Sequence, residues 1–239
     1  MPVFLTAEWR YLTMLHYAVD RALLAPLVPG GTELDEFEGK TFVSLVGFRF
    51  ERTRVRGVWI PFHSDFDEVN LRFYVRRAVA GEVRRGVVFV KEIVPRWAIA
   101  SVARICFGEK YVALPMAHKV IEPTSEGGRI QTEYRWRHRG RWNAIRAESG
   151  GRSAVPPADS REAFFIEHYW GYATDGKGGT VEYRVEHDRW RTWPVSRASF
   201  EGDVSELYGA PLAACLAREP DSALVAEGSS VAVHGGTRI

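Results

Sequence analysis

The chain has 239 residues, 46% of them hydrophobic, and a formal net charge of +2. That is ample material for a core, and its interspersed acids and bases exclude a general nucleic-acid or membrane-binding field. Two isolated cysteines, no basic-then-apolar N-terminal segment and no membrane-length apolar run point away from a disulfide scaffold, a zinc site and a membrane span, and toward the cytoplasm.

Trp9 to Tyr17 is rich in β-branched, aromatic and aliphatic residues and predicts a strand. Asp20 can cap a short helix over 21–27, which Pro29-Gly30-Gly31 ends. A strand buried on both faces follows at 40–50, then an ordered loop over 53–64 containing Gly57, Trp59 and Pro61. Phe66 to Val75 alternates with a period of two. Val69, Leu71, Phe73 and Val75 take one face; Glu68, Asn70, Arg72 and Tyr74 take the other. Ala80-Gly81 marks a turn into a strand over 86–94 that is apolar on both faces. Pro95 opens a helix whose apolar face carries Trp97, Ala98, Ser101, Val102, Ile105 and Cys106, and Gly108 can end it.

A strand is expected over 111–122, and Gly127-Gly128 turns it into a hairpin with 129–138, where apolar and polar residues alternate. Gly140 leads to another strand over 142–148. The stretch 150–159 reads as a loop inside one domain, because strands continue on both sides. Ser160 caps a short helix, His168 to Tyr172 is an aromatic strand, and 180–187 pairs back on it. Trp190 and Trp193-Pro194 read as packed loop aromatics, 211–217 as a helix, and 221–226 and 230–234 as strands around Gly228. Many antiparallel strands, few short helices and no βαβ series predict one α+β domain over 1–239, mainly antiparallel β.

The polar face of 66–75 is the first chemical question. On an open sheet it would be a solvated ladder of alternating charge. In a closed sheet it would line a cavity. There Glu68 could orient a ligand or move a proton, Arg72 could hold a carboxylate, and Asn70 and Tyr74 could support them. Lys110 is the second question, since only five lysines occur in the chain. A desolvated lysine can form a Schiff base with a carbonyl substrate, whereas one beside Glu109 in an exposed loop does nothing of the kind. The seven histidines form no ligand motif, although His168 and His187 could meet across a hairpin to bind a metal. The basic run 135–141 with Trp136 fits the wet face of a hairpin better than a nucleic-acid site.

Several segments then resemble a family. Leu24-Ala25-Pro26-Leu27-Val28-Pro29 with Glu33-Leu34, Phe42 to Phe48, Phe66 to Arg72, Phe89 to Ala103, His168 to Tyr172 and Ala226 to Ser229 look like the bacterial family called domain of unknown function 2071. That family is similar in turn to the acetoacetate decarboxylase-like superfamily. The resemblance implies a cone-shaped, barrel-like sheet with an internal cavity. It also sets Arg10 near a family arginine, Glu68 on the active-site acid and Lys110 near the Schiff-base lysine. The Pro-Lys-Lys run that carries this lysine in the decarboxylases is absent here, including the second lysine that would lower its pKa.

The resulting expectation is a small-molecule site for a keto acid or other organic acid. Lys110 and Glu68 would be the catalytic candidates, and Arg10, Arg72, Asn70, Tyr74 and Trp97 the binding candidates. Trp59 and Trp170 would add aromatic wall. No cofactor or metal is called for, since a protonated imine is its own electron sink. The alternative is a non-catalytic ligand-binding protein on the same fold. Assembly into a homo-oligomer is left open.

Overall fold

The computed structural model describes residues 2–97, 110–125, 128–175 and 178–239. Fifteen strands and four short α-helices are found among them. The first strands are β1 (Val3–Val19), β2 (Glu33–Leu34), β3 (Thr41–Val55), β4 (Val58–Trp59), β5 (Phe66–Val79) and β6 (Glu82–Val94). Next come β7 (Tyr111–Ala113), β8 (Met116–Ile121), β9 (Ile130–His138) and β10 (Arg141–Ser149). The last are β11 (Trp170–Thr174), β12 (Thr180–His187), β13 (Thr192–Glu201), β14 (Ser222–His234) and β15 (Thr237–Arg238). The helices are α1 (Arg21–Leu24), α2 (Arg161–Ile166), α3 (Ser205–Tyr208) and α4 (Ala210–Leu216).

Tight turns set the long hairpins. Arg56-Gly57, Ala80-Gly81 and Arg139-Gly140 each have positive φ at both central residues, the turn whose twist matches the flanking strands. Through them β3 pairs with β4, β5 with β6, and β9 with β10, all antiparallel.

The pairing then returns on itself. Around the circuit run β12, β11, β6, β5, β3, β1 and β14, and β14 pairs again with β12. The contact of β11 with β6 is parallel and short; the others in the circuit are antiparallel. A second layer, β8–β9–β10–β13, packs on the outside of the circuit. Between them lies a core with Leu15, Leu45, Leu71, Phe73, Tyr134 and Trp136. This is where the apolar face of β5 goes, and its polar face is therefore turned to the inside of the circuit.

The helices are placed by capping and burial. Asp20 accepts from the Ala22 N–H and Ser160 from the Ala163 N–H, as expected of N-caps. In α2, residues Ala163 to Ile166 are all buried, and this helix closes one end of the circuit.

Four expectations change. The loop expected at 53–64 contains the end of β3 and all of β4. The strand expected over 111–122 breaks at Leu114-Pro115, so that β7 runs parallel to β6 while β8 joins β9 in the outer layer. Trp193-Pro194 lies in a strand, β13, and the two strands expected around Gly228 are one, β14. Gly228 makes that continuity feasible. Its φ is +82°, and a Cβ there would sit 1.8 Å from the Trp9 carbonyl oxygen. Of the helix expected from Pro95 to Gly108, only the start through Trp97 falls within the described residues; 98–109 lie outside them.

Candidate functional site

Inside the circuit is a cavity of about 250 Å³. On β5 the lining residues are Phe66, Glu68, Asn70 and Arg72, the inward side of the period-two pattern. Glu68 and Asn70 each retain only 2% exposure, so this polar face is not a wet surface. The neighbouring strand β3 supplies Phe48 and Phe50, directly across from Glu68 and Phe66.

Strand β6 supplies Val87, Phe89 and Glu92. Strict alternation from Val87 and Phe89 would bring Lys91 inward. Instead Phe89 pairs with Arg72 and Lys91 with Leu71, leaving Val90 as one extra residue. This bulge reverses the parity. Lys91 turns outward and is part-exposed, and the 2% exposed Glu92 turns in. The sequence reading missed Glu92. A lone acid in a strand otherwise apolar on both faces was the available signal, because acids are seldom buried without a partner.

At the centre, Asn70 Nδ2 donates to Glu68 Oε1 at 2.9 Å, and the Tyr111 hydroxyl donates to Glu68 Oε2 at 3.0 Å. Burial pushes the Glu68 carboxyl up to about 7. The two hydrogen bonds and the Arg72 charge oppose that rise without cancelling it. Tyr111 is held well above the ordinary phenol range, first by burial and then by the Glu68 and Glu92 carboxylates. It stays protonated and keeps donating.

Arg72 forms the deep end. Its guanidinium donates to the Phe165 carbonyl at 3.1 Å and contacts Met14 Sδ at 3.7 Å. Its Nε, like Asn70 Oδ1, has no hydrogen-bond partner among the described residues. Ile166 and His168, from α2 and the turn after it, complete this floor. Burial, with Arg85 and Arg72 nearby, lowers the His168 pKa well below the usual range, so the ring is neutral. Its partner in the suggested metal pair, His187, meets the His168 carbonyl oxygen at 3.4 Å and the Asp188 carbonyl oxygen at 2.8 Å, and stacks on Trp190.

The remaining site candidates fall elsewhere. Lys110 is exposed and outside the lining; Tyr111, one residue on, takes the place beside Glu68. Arg10 is also outside. Tyr11 has φ of +55° and the β1–β3 register slips between Arg10 and Thr13. Trp9 and Leu12 consequently face the cavity, while Arg10 lies 5.6 Å over the Tyr11 ring. Tyr74 lies beyond the floor, against Phe164 and Phe165, with its hydroxyl 2.5 Å from Ser44 Oγ. Trp97 is 76% exposed and Trp59 lies at the surface, whereas Trp170 lines the cavity.

The model of DUF2071, described as an uncharacterized conserved protein, matches residues 6–230. The chain belongs to this family. Another protein it matches, the uncharacterized protein YqjF of Bacillus subtilis (strain 168), is 37% identical over 68 residues, a stretch that spans 28% of either chain. Among solved structures, this DUF2071 protein is similar to acetoacetate decarboxylase from Legionella pneumophila subsp. pneumophila strain Philadelphia 1. The TM-score is 0.68 at 13% identity, covering 99% of this chain and 87% of that one. The enduracididine biosynthesis enzyme MppR complexed with pyruvate gives 0.68 at 15%, covering 99% and 90%. An acetoacetate decarboxylase-like enzyme from Sphingomonas wittichii RW1 gives 0.65 at 14%, covering 100% and 94%. At these identities the likeness establishes the fold: a largely antiparallel sheet of the acetoacetate decarboxylase-like type. Function has to be argued from the site.

Proposed function

We propose that this protein takes a small organic acid into the cavity, that Arg72 holds the acid's carboxylate, and that Glu68 moves a proton to or from the bound molecule. The observation that carries this reading is the Glu68 carboxyl. It is fully enclosed, donated to by Asn70 and Tyr111, and brought by burial to a pKa of about 7. A carboxyl near neutrality is suited to give and take protons at working pH, where an ordinary one is already ionised. With Glu68 protonated, one negative charge fewer opposes an incoming carboxylate, which the Arg72 guanidinium can bind. A fold neighbour holds pyruvate, which makes 2-oxo acids the first class to test.

Lys110 has no part in this reading, because it is exposed outside the lining. That same observation favours the second reading, a binding protein without turnover, since none of the described lining residues is a lysine. The two separate in one measurement. A panel of 2-oxo acids of graded length is incubated with the protein in D2O, and deuterium entering the carbon beside the ketone is followed by proton NMR. Proton transfer predicts wash-in that is lost in Glu68→Gln and kept in Lys110→Ala. Binding without wash-in supports the second reading. If no member of the panel binds or exchanges, the organic-acid site is wrong.

A further inference from the structure

The charged groups of the cavity are gathered toward one end. Arg72, Asn70, Glu68, Glu92 and Tyr111 gather where β5, β6 and β7 meet above α2. Beyond Phe50 and Phe66, which stack with centroids 4.6 Å apart, the wall changes character. Leu5 of β1, Val55 of β3, Val185 of β12 and Val233 of β14 line it, with Thr53 and His63 as the polar exceptions. Leu5 is in register with both Val55 and Val233, so these three form one apolar collar.

The direction of the opening follows from exposure. Among the described lining residues only Ile60 is exposed, at 41%. It follows β4, beside the collar. Next to it Val58, Trp59 and Phe62 are exposed too, continuing the apolar surface out of the mouth. Phe48 lies opposite Glu68 and Val55 lies at the collar. The strand between them corresponds to about 20 Å at the rise of a β-strand. A three-carbon acid seated on Arg72 would leave this whole length of apolar wall facing water. A cavity of about 250 Å³ has room for on the order of ten or more waters, more than such an acid displaces.

We infer that the ligand is an elongated amphipath: an organic acid whose polar head sits among Arg72, Asn70 and Glu68 and whose apolar tail runs past Phe50 and the Leu5–Val55–Val233 collar to Ile60. This rests on the organic-acid reading above and adds the substrate class to it. The head supplies orientation and the tail supplies affinity, because each methylene that leaves water for this wall strengthens binding about fourfold. The exposed apolar hairpin at β4 then serves as the threshold over which the tail passes.

The test is a chain-length series read by quenching of the cavity tryptophans Trp9, Trp170 and Trp190. The probes are 2-oxobutanoate, 2-oxohexanoate, 2-oxooctanoate and 2-oxododecanoate. Affinity is expected to rise about fourfold per added methylene, until the tail reaches the mouth, and to level off there. Ile60→Arg at the mouth and Val233→Trp in the collar should each reduce the ratio of long- to short-acid affinity, by tenfold or more for the collar variant. Melting of both variants is measured alongside, and Ile60→Arg changes an exposed residue that folding does not need. Equal binding of short and long acids, or an unchanged ratio in both folded variants, overturns the elongated ligand while leaving the organic-acid site standing. Absence of binding at every length overturns both.

Discussion

The Tyr111 hydroxyl donates to Glu68 Oε2 at 3.0 Å, and the residue before it, Lys110, is exposed outside the cavity. One step along the chain thus decides whether a phenol or an amine meets the buried acid. A donor to the ionised carboxylate lowers its pKa, so Tyr111→Phe should move the Glu68 titration to higher pH. Stability should fall by about 1 kcal/mol for the lost hydrogen bond. Lys110→Ala should leave both unchanged. The pH dependence of deuterium wash-in, or carbon-13 NMR of the labelled carboxyl, reads the shift.

Glu68 should also shape the stability of the fold against pH. Its pKa rises from the ordinary 4.5 to about 7 on folding. Below pH 4.5 the carboxyl is protonated in both states and the folded protein carries no penalty. Between 4.5 and 7 the unfolded chain releases the proton and the folded one keeps it, so stability declines by about 1.4 kcal/mol per pH unit. Above 7 the full loss, about 3 kcal/mol, has been incurred. Glu68→Gln removes this titration. Urea unfolding from pH 4 to pH 8 should show the variant gaining on the wild type as pH rises through that window.

Arg72 is a charge that lowers the Glu68 pKa and donates to Phe165 in the floor. Arg72→Met keeps much of the volume and removes the charge. Affinity for an organic acid should fall at least tenfold, the loss of one charge-assisted pair. The Glu68 titration should rise further. Titration calorimetry and the pH profile of the same variant separate the two effects.

Gly228 lies across from Arg10 in the β1–β14 register, with φ of +82° and the Trp9 carbonyl where a Cβ would go. Gly228→Ala is strained both in backbone conformation and by that contact. A loss of several kcal/mol is expected, seen as a large drop in melting temperature. Since Trp9 lines the cavity, its fluorescence should change as well.

Much of this was legible beforehand where a rule is local. The period of two in β5 told which residues share a face, and the circuit of strands made that face interior. Asp20 and Ser160 behaved as caps because capping needs only neighbours. Arg10, Lys110 and Glu92 were not legible for one shared reason. Each depends on how a strand pairs with its neighbour: the slip near Tyr11 against β3, the β7 pairing that sets Tyr111 beside Glu92, and the bulge at Val90 against β5. Trp193 was misread because Pro194 discourages a strand assignment, yet its pairing to β14 involves three residues only. Trp97 followed an apolar helical spacing that says nothing about what the face meets.

The extra residue Val90 decides which of two adjacent, oppositely charged side chains the chamber receives. With it, the wall facing Asn70 carries an acid. Were Val90 instead to take its own place in the ladder opposite Leu71, strict alternation would turn Lys91 in where Glu92 now stands, close to Glu68. An amine beside a buried carboxyl and a pair of acids sharing a phenol thus differ by a one-residue slip of β6 against β5.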